Sequence, residues 1–209
     1  MSLMDAYKEL VLDRRSVKRY DPEFKIPKEE LTRLLEDALR APSAINLQPW
    51  RFLILESEGA REKMLRLAPH NQDQVKTASH LILIFADQEF AGYGKEIFDQ
   101  TVDEGKMPRN VADFLINMVD EFKSQLPQQE KEIKMALDTG LFCQQLMITA
   151  RAYGYDTCPI AGYDQSRAAE VFGWDKERYL PLLLVSIGKA KDPGNPSSRL
   201  PLERVSEWR

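Results

Sequence analysis

The chain has 209 residues, of which 43% are hydrophobic and 30% charged, and this predicts one globular domain with a substantial buried core. Its 33 acidic residues outnumber 29 basic ones and give a formal charge of −4, which disfavours a nucleic-acid partner because such a partner requires a basic surface. No apolar run approaches the roughly 18 residues of a membrane span, and no secretory signal is visible at the start. We therefore expect a cytoplasmic protein with no membrane partner.

A local basic cluster interrupts this acidic chain at residues 13–22, DRRSVKRYDP. Arg14, Arg15 and Lys18 lie in it around Ser16. An ordinary solvated charge run is one interpretation. The other is a site for one small anion, such as a cofactor phosphate, which needs two or three fixed donors at one point and no basic surface elsewhere.

Cysteine and histidine are too sparse to indicate a metal centre. The cysteines are Cys143 and Cys158, so we expect no disulfide framework, and Cys143 lies in an apolar stretch that predicts core packing. His70 and His80 share no ligand spacing with them. Neither GxxxxGK[ST] nor GxGxxG occurs, so a nucleotide would not be bound in the P-loop or Rossmann manner.

Helical spacing and short apolar runs alternate along the chain. The spacing predicts helices over residues 4–12, 27–41, 61–67, 111–123, 128–153 and 164–174. The apolar runs predict strands over residues 50–57, 81–87 and 179–189, and a short strand followed by a loop over residues 156–163. Because two helices precede the first strand and the longest helix, apolar almost all round in its second half, is central, we expect an α+β sandwich.

Two regions fit this pattern less well. Residues 88–131 are charged and interrupted by glycines, which predicts a mobile excursion over a site. The tail at 190–209 contains three prolines and little apolar surface, so it must lie along another part of the protein. We expect both regions to belong to a single domain, 1–209.

Five pieces of the sequence, in order, carry a resemblance that none of them carries alone. They are RRSVKRY, APSAINLQPWRF, NQDQVKTASH, CPIAGY, and SIGKA followed by PSSRLPLERV. Together they resemble the nitroreductase family of FMN-dependent NAD(P)H oxidoreductases over nearly the whole chain. The resemblance implies an α/β/α sandwich with a central, mainly antiparallel sheet around a long core helix, and a homodimer with FMN at the subunit interface.

The resemblance also gives the basic cluster a function. It implies that Arg14 and Ser16, with the distant Arg199, enclose the FMN phosphate, and it counts Arg15 among the cofactor-binding residues. It directs Lys18 to the flavin edge near N1 and O2, where a cation would stabilise the negative charge of the reduced ring. Lys18 is therefore the one candidate for a catalytic role.

Three other segments are implied to contact the flavin. Asn71 would hydrogen bond to the ring, and a backbone N–H after the third predicted strand would reach N5. The residues of that corner are Pro159, Ile160, Ala161 and Gly162. The residues implied to serve the other subunit's site are Pro42, Ser43, Ala44 and Asn46.

Simpler roles remain open for several of these residues. Ser16 could cap a helix or turn, Asn71 could be an ordinary loop residue, Arg199 could be a surface arginine, and Trp50 in the second motif could fill the core.

Two positions depart from what some relatives carry. Ala161 stands where some have an acidic residue, which opens space beside the flavin. Ser197 stands where some have a second basic residue, which removes one phosphate contact.

The activity implied by the resemblance is a ping-pong cycle. NAD(P)H gives a hydride to flavin N5, and a nitroaromatic, quinone or similar acceptor then takes the electrons. Alternatives are a family member that carries out dehalogenation or flavin fragmentation, and a flavin-binding redox sensor without turnover.

Overall fold

The computed structural model describes residues 2–209, without the side chains of residues 120 and 122–124. Its helices are α1 (Leu3–Tyr7), α2 (Lys28–Ala38), α3 (Glu58–Leu67), α4 (Gln72–Thr77), α5 (Gly94–Asp103), α6 (Arg109–Gln125), α7 (Gln128–Ala152) and α8 (Gln165–Val171). Its strands are β1 (Trp50–Leu55), β2 (His80–Asp87), β3 (Asp156–Ile160) and β4 (Tyr179–Gly188). A π-helical turn covers Lys8–Leu12, and 3-10 turns cover Ala44–Asn46, Phe90–Tyr93 and Leu202–Arg204.

The four strands form one sheet in the order β1-β2-β4-β3, and every neighbouring pair is antiparallel. His80 of β2 lies opposite Ile187 of β4, and Asp156 of β3 lies opposite Gly188. All eight residues of β2 are buried, because this central strand has helices on both faces. The uninterrupted apolar run LILIFAD reflects that double burial.

Helices cover the sheet in two layers. On one face, α2 and α7 pack against β2 and β4, with Leu34 and Phe142 in contact with the Ile82 side of the sheet. On the other face, α3, α4 and α8 pack against alternate residues such as Leu83, with Met64 at the centre. The predicted α+β sandwich, α/β/α in layers with a mainly antiparallel sheet, is confirmed.

Helix α2 shows how local sequence sets its ends. Pro27 caps its start, and Leu31 and Leu34 lie on its buried face, as the spacing predicts. Leu39, which the same spacing placed on that face, is 40% exposed because the helix ends one residue before it. The predicted amphipathic helix at 4–12 divides into α1 and the π-helical turn, and neither part has a fully buried residue.

Helix α7 runs through the core, but one stripe of it is uncovered. Phe142, Leu146 and other residues of its second half are buried. Ile133, Leu137 and Leu141 follow one another at four-residue spacing and are 61%, 65% and 42% exposed. The expectation that the apolar second half is surrounded by core is therefore wrong at Leu141.

Residues 88–131 are folded rather than irregular. Helices α5 and α6 pack on the end of the sheet through a third apolar cluster that includes Phe90, Phe98 and Ala112. Mobility of this segment, and its place over a site, stay predictions. Within residues 2–209 no helix has both the length and the apolar character needed to cross a membrane.

Candidate functional site

The basic cluster runs alongside β3 and forms one isolated bridge to it. Ser16 forms a parallel bridge with Thr157, and the N–H of Val17 donates to the Thr157 carbonyl at 3.0 Å. Further along, Tyr20 forms an antiparallel bridge with Ala190 at the start of the tail. The fold thus brings the residue 13–22 segment next to the strand that carries the CPIAGY motif.

Arg14 and Arg15 have different surroundings. The Arg15 guanidinium is hydrogen bonded to two backbone carbonyls, those of Leu12 at 2.7 Å and Arg14 at 2.9 Å. In the described part of the chain, Nη1 of Arg14 is buried and has no hydrogen-bond partner. An unpaired buried donor is costly, and on a guanidinium it fits an anionic ligand.

Ser16, Lys18 and Arg14 all influence the pKa of the Cys158 thiol in β3. Burial raises the pKa of Cys158, while the charges of Lys18 and Arg14 and the side chains of Gln74 and Ser16 oppose that rise. Ser16 and Lys18, two of the residues that the resemblance assigns to the cofactor, also line one cavity of about 200 Å³. The raised pKa keeps the thiol neutral near pH 7, where it acts as part of the core.

Asn71 bridges two of the predicted segments. Its Nδ2 donates to the Gly162 carbonyl at 2.8 Å, and its Oδ1 accepts from Nε2 of Gln74 at 3.1 Å. Lys18, Asn71 and Gln74 line one cavity of about 310 Å³. Sequence reasoning missed Gln74, which is 6% exposed; a glutamine inside the NQDQVKTASH motif was its only signal.

The corner after β3 lies against Asn71. Pro159 is half-buried and Ile160 is buried in the core, whereas Ala161 and Gly162 are exposed. The N–H of Tyr163 turns back to the Ala161 carbonyl at 3.0 Å, which forms a tight corner. Exposed backbone at Ala161 and Gly162 is therefore held in place by a side chain from another element.

The tail crosses the basic segment at Gly194. A Cβ added there would lie 2.4 Å from Cβ of Arg15 and 2.8 Å from the Ser16 carbonyl oxygen, so only glycine fits. Five residues later, Arg199 hydrogen bonds to Ser197 Oγ at 2.8 Å and to the Ser198 carbonyl at 2.9 Å. The structure brings the tail to the predicted phosphate site, but the contacts of Arg199 are within the tail.

The loop at 42–48 is strained and tied to α7. Ile45, Asn46 and Gln48 have φ of 53°, 59° and 48°, which costs about 1–2 kcal/mol for each ordinary residue. The N–H of Ala44 donates to Oδ2 of Asp138 in α7 at 3.0 Å. This carboxylate was missed by sequence reasoning, although an acidic residue inside the apolar stretch MALDTGLFC is a signal.

The loop is anchored far from the basic segment within one subunit. The basic segment is bridged to Thr157 of β3 through Ser16. The residue before Thr157, Asp156, pairs at 2.7 Å with Arg151 on the last turn of α7, so this end of α7 lies beside the basic segment. Asp138 lies 13 residues earlier on the same helix, which corresponds to about 20 Å. The two described cavities that Lys18 lines contain no residue of the range 42–46.

A buried ion pair outside the predicted site fixes the end of β2. The Asp87 carboxylate, fully buried, accepts from Nε and Nη2 of Arg178 at 2.9 and 3.0 Å. Burial by itself raises the pKa of Asp87, but the hydrogen bonds from Arg178 and the Glu89 N–H, with the nearby charge of Arg51, outweigh it and lower the pKa. Among the described residues, no group of three or more histidine, cysteine, aspartate or glutamate side chains is arranged to hold a metal ion.

Comparisons with known proteins agree on one family. The model of the Nitroreductase family matches residues 11–189. A protein named "Putative NAD(P)H nitroreductase YdgI" from Bacillus subtilis (strain 168) is 48% identical over 203 residues, 97% of each chain. A crystal structure from Exiguobacterium sibiricum 255-15, described as a "putative nitroreductase in complex with FMN", superposes with a TM-score of 0.94 at 43% identity, covering 97% of each chain.

A more distant relative has a different stated reaction. The CLA biosynthesis enone reductase of Lactiplantibacillus plantarum is 27% identical over 183 residues, covering 87% of this chain and 84% of its own. All three relatives align with most of the chain. YdgI shares nearly half of its residues, and the Exiguobacterium sibiricum structure shares its fold. The chain belongs to the Nitroreductase family.

Proposed function

We propose that this protein is an FMN-dependent oxidoreductase that uses NAD(P)H. The observation that carries the proposal is the buried, unpaired Nη1 of Arg14, in the segment whose Ser16 bridges to Thr157 of β3. A phosphate monoester of nearly two negative charges would give that nitrogen its missing acceptor. Bound FMN would supply the redox chemistry, because its N5 accepts a hydride from NAD(P)H and the electrons then pass to an organic acceptor.

The residues divide by the part of FMN that they would hold. Arg14 and Ser16 would hold the phosphate, while Lys18 and the Asn71–Gly162 bridge would hold the ring. Arg199 remains a proposed phosphate ligand, and it would have to exchange its bonds to Ser197 and Ser198 for the anion. Lys18 is exposed beside the cavity, so its ammonium can contribute positive charge without the penalty of full burial.

A homodimer would complete the site. Ile133, Leu137 and Leu141 form an exposed apolar stripe on α7, which a second copy of the chain would cover. The separation of about 20 Å between the anchors of the 42–46 loop and the basic segment supports a role of that loop in the partner's site. Light scattering should give twice the mass of one 24.1 kDa chain.

The proposed acceptor is a nitroaromatic compound or a quinone, reduced in a ping-pong cycle. The test follows NADH and NADPH oxidation by the FMN-loaded protein with a nitrofuran or menadione. Parallel double-reciprocal plots would support the cycle, because each substrate then reacts with a different form of the enzyme. Reduction of bound FMN without turnover on any acceptor would favour the redox sensor instead.

An activated carbon–carbon double bond is a second candidate acceptor. The enone reductase among the relatives supports it, and the exposed Ala161, with its small side chain, leaves room beside the proposed flavin site. An α,β-unsaturated ketone belongs in the same acceptor panel. A kcat/KM for the enone above those for the nitrofuran and menadione would favour this second assignment.

A further inference from the structure

Asp138 is a buried carboxylate whose hydrogen bond connects distant parts of the chain. It is 7% exposed on α7, and its Oδ2 accepts the N–H of Ala44 across 94 residues of sequence. Burial raises the pKa of Asp138, and this hydrogen bond and the charge of Lys134 oppose that rise only in part. A buried carboxylate is costly to keep, and the hydrogen bond from the Ala44 N–H offsets part of that cost.

The loop that it holds does not have a relaxed backbone. Ile45, Asn46 and Gln48 all adopt left-handed φ values, and isoleucine is especially unsuited to this region because it is β-branched. A second hydrogen bond, from the Gln48 N–H to Ser43 Oγ at 3.0 Å, closes the loop on itself. The hydrogen bond to Asp138 ties the start of this 3-10 turn to a helix of the core.

We propose that Asp138 is a positioning residue that holds Ser43–Asn46 in the geometry needed at the flavin site of the partner subunit. The inference rests on the proposed FMN function. Asp138 itself would touch no cofactor and would act through the Ala44 N–H. A charged acceptor suits this role because charge-assisted hydrogen bonds are stronger than neutral ones, and here the bond must oppose backbone strain.

The test compares FMN binding by the full-length dimer and three variants. Asp138→Ala removes the acceptor, and we expect the FMN dissociation constant to rise about tenfold. Asp138→Asn retains a neutral oxygen acceptor for the Ala44 N–H, so its dissociation constant should lie between those of wild type and Asp138→Ala. Asp37→Ala is the matched control, since it removes a carboxylate that accepts from the Tyr153 hydroxyl at 2.7 Å, away from the loop, and should bind FMN like wild type.

A fourth variant approaches the same contact from the donor side. Ala44→Pro removes the N–H while the carboxylate stays, and the extended backbone of Ser43 (φ −147°, ψ 162°) suits a residue before proline. It should reproduce the loss of affinity, and both Ala44→Pro and Asp138→Ala should alter the visible circular dichroism of bound flavin. This variant keeps the inference testable if Asp138→Ala fails to fold.

Mixed dimers test whether the loop acts across the interface. Asp138→Ala on one subunit and Arg14→Ala on the other should damage the same site, so that the second site keeps wild-type affinity. If each site is weakened, the loop serves its own subunit and the inference is wrong. It is also wrong if both Asp138→Ala and Ala44→Pro bind FMN like wild type, or if Asp138→Asn is as weak as Asp138→Ala. Failure of the wild-type protein to bind FMN would instead overturn the proposed function.

Discussion

The side-chain amide of Asn71 donates to the carbonyl of Gly162 at 2.8 Å and so joins the start of α4 to the corner after β3. The two residues are 91 positions apart in sequence. The oxygen of the same amide, Oδ1, accepts from Nε2 of Gln74, so both the nitrogen and the oxygen of the Asn71 side chain are hydrogen bonded within the protein. Asn71 therefore holds the corner that the flavin is proposed to contact.

Replacing Asn71 by aspartate should separate this corner from α4. The carboxylate has no donor for Gly162 and would face its carbonyl oxygen, so we expect a loss of roughly 1–2 kcal/mol in the free energy of unfolding and weaker FMN binding. Urea unfolding of the cofactor-free protein measures the first effect, and fluorescence titration with FMN the second. Asn110→Asp, on the exposed side of α6, is the control; equal stability of the two variants would contradict the bridging role.

Arg14→Ala should weaken FMN binding about ten- to a hundredfold, because it removes a charge-assisted contact to the phosphate. The matched control is Arg19→Ala, since Arg19 pairs with Asp192 at 3.4 Å on the surface. Binding of riboflavin, which lacks the phosphate, should be nearly the same in Arg14→Ala and wild type. A similar loss of riboflavin affinity would show that Arg14 supports the fold rather than the phosphate.

Lys18→Met tests whether the lysine tunes the flavin as well as holding it. A cation near N1 and O2 favours the reduced ring, and one preorganised group of this kind contributes roughly 1–3 kcal/mol. At about 1.4 kcal/mol per 30 mV for two electrons, the midpoint potential should fall by roughly 20–65 mV. Spectroelectrochemical titration of wild type and Lys18→Met measures the midpoint potential. An unchanged midpoint in a variant that still binds FMN would mean that a group other than Lys18 stabilises the negative charge of the reduced flavin.

The Asp87–Arg178 pair predicts a stability that depends on pH. Because the folded-state pKa of Asp87 is lowered, its contribution to stability is present above the unfolded-state value of about 4 and is lost as pH falls through the folded-state value. Arg178→Met should cost roughly 2–4 kcal/mol at pH 7, somewhat less than a fully buried pair because Arg178 is 29% exposed.

In acid the difference between wild type and Arg178→Met should shrink, because protonated Asp87 no longer needs the cation. Urea unfolding of both proteins at pH 7 and in acid checks this. A difference that stays constant over that range would mean that Arg178 contributes through packing rather than through the charge of Asp87.

The sequence allowed the fold to be predicted well where a pattern depends on local burial. The apolar run of β2 and the spacing of Leu31 and Leu34 in α2 each report which faces are covered. The exposed stripe of α7, which includes Leu137, could not be separated from its buried faces, because leucine at an uncovered position looks the same in sequence as leucine in a core.

The candidate site was predictable only as segments. The resemblance implied that Ser16 and Asn71 contact a cofactor, which stays a prediction, but pairings such as Asn71 with Gly162 depend on how helices and strands pack over long sequence distances. Asp138 illustrates the limit, since its partner is a backbone N–H that carries no sequence signal. Backbone donors of this kind become visible only in the folded chain.

FMN binding by the purified full-length protein tests the central claim most directly. We predict a yellow protein with flavin absorbance near ~450 nm, about one FMN released per subunit on denaturation, and bleaching on anaerobic addition of NADH or NADPH. A colourless protein that also fails to take up FMN when titrated with it would contradict the account.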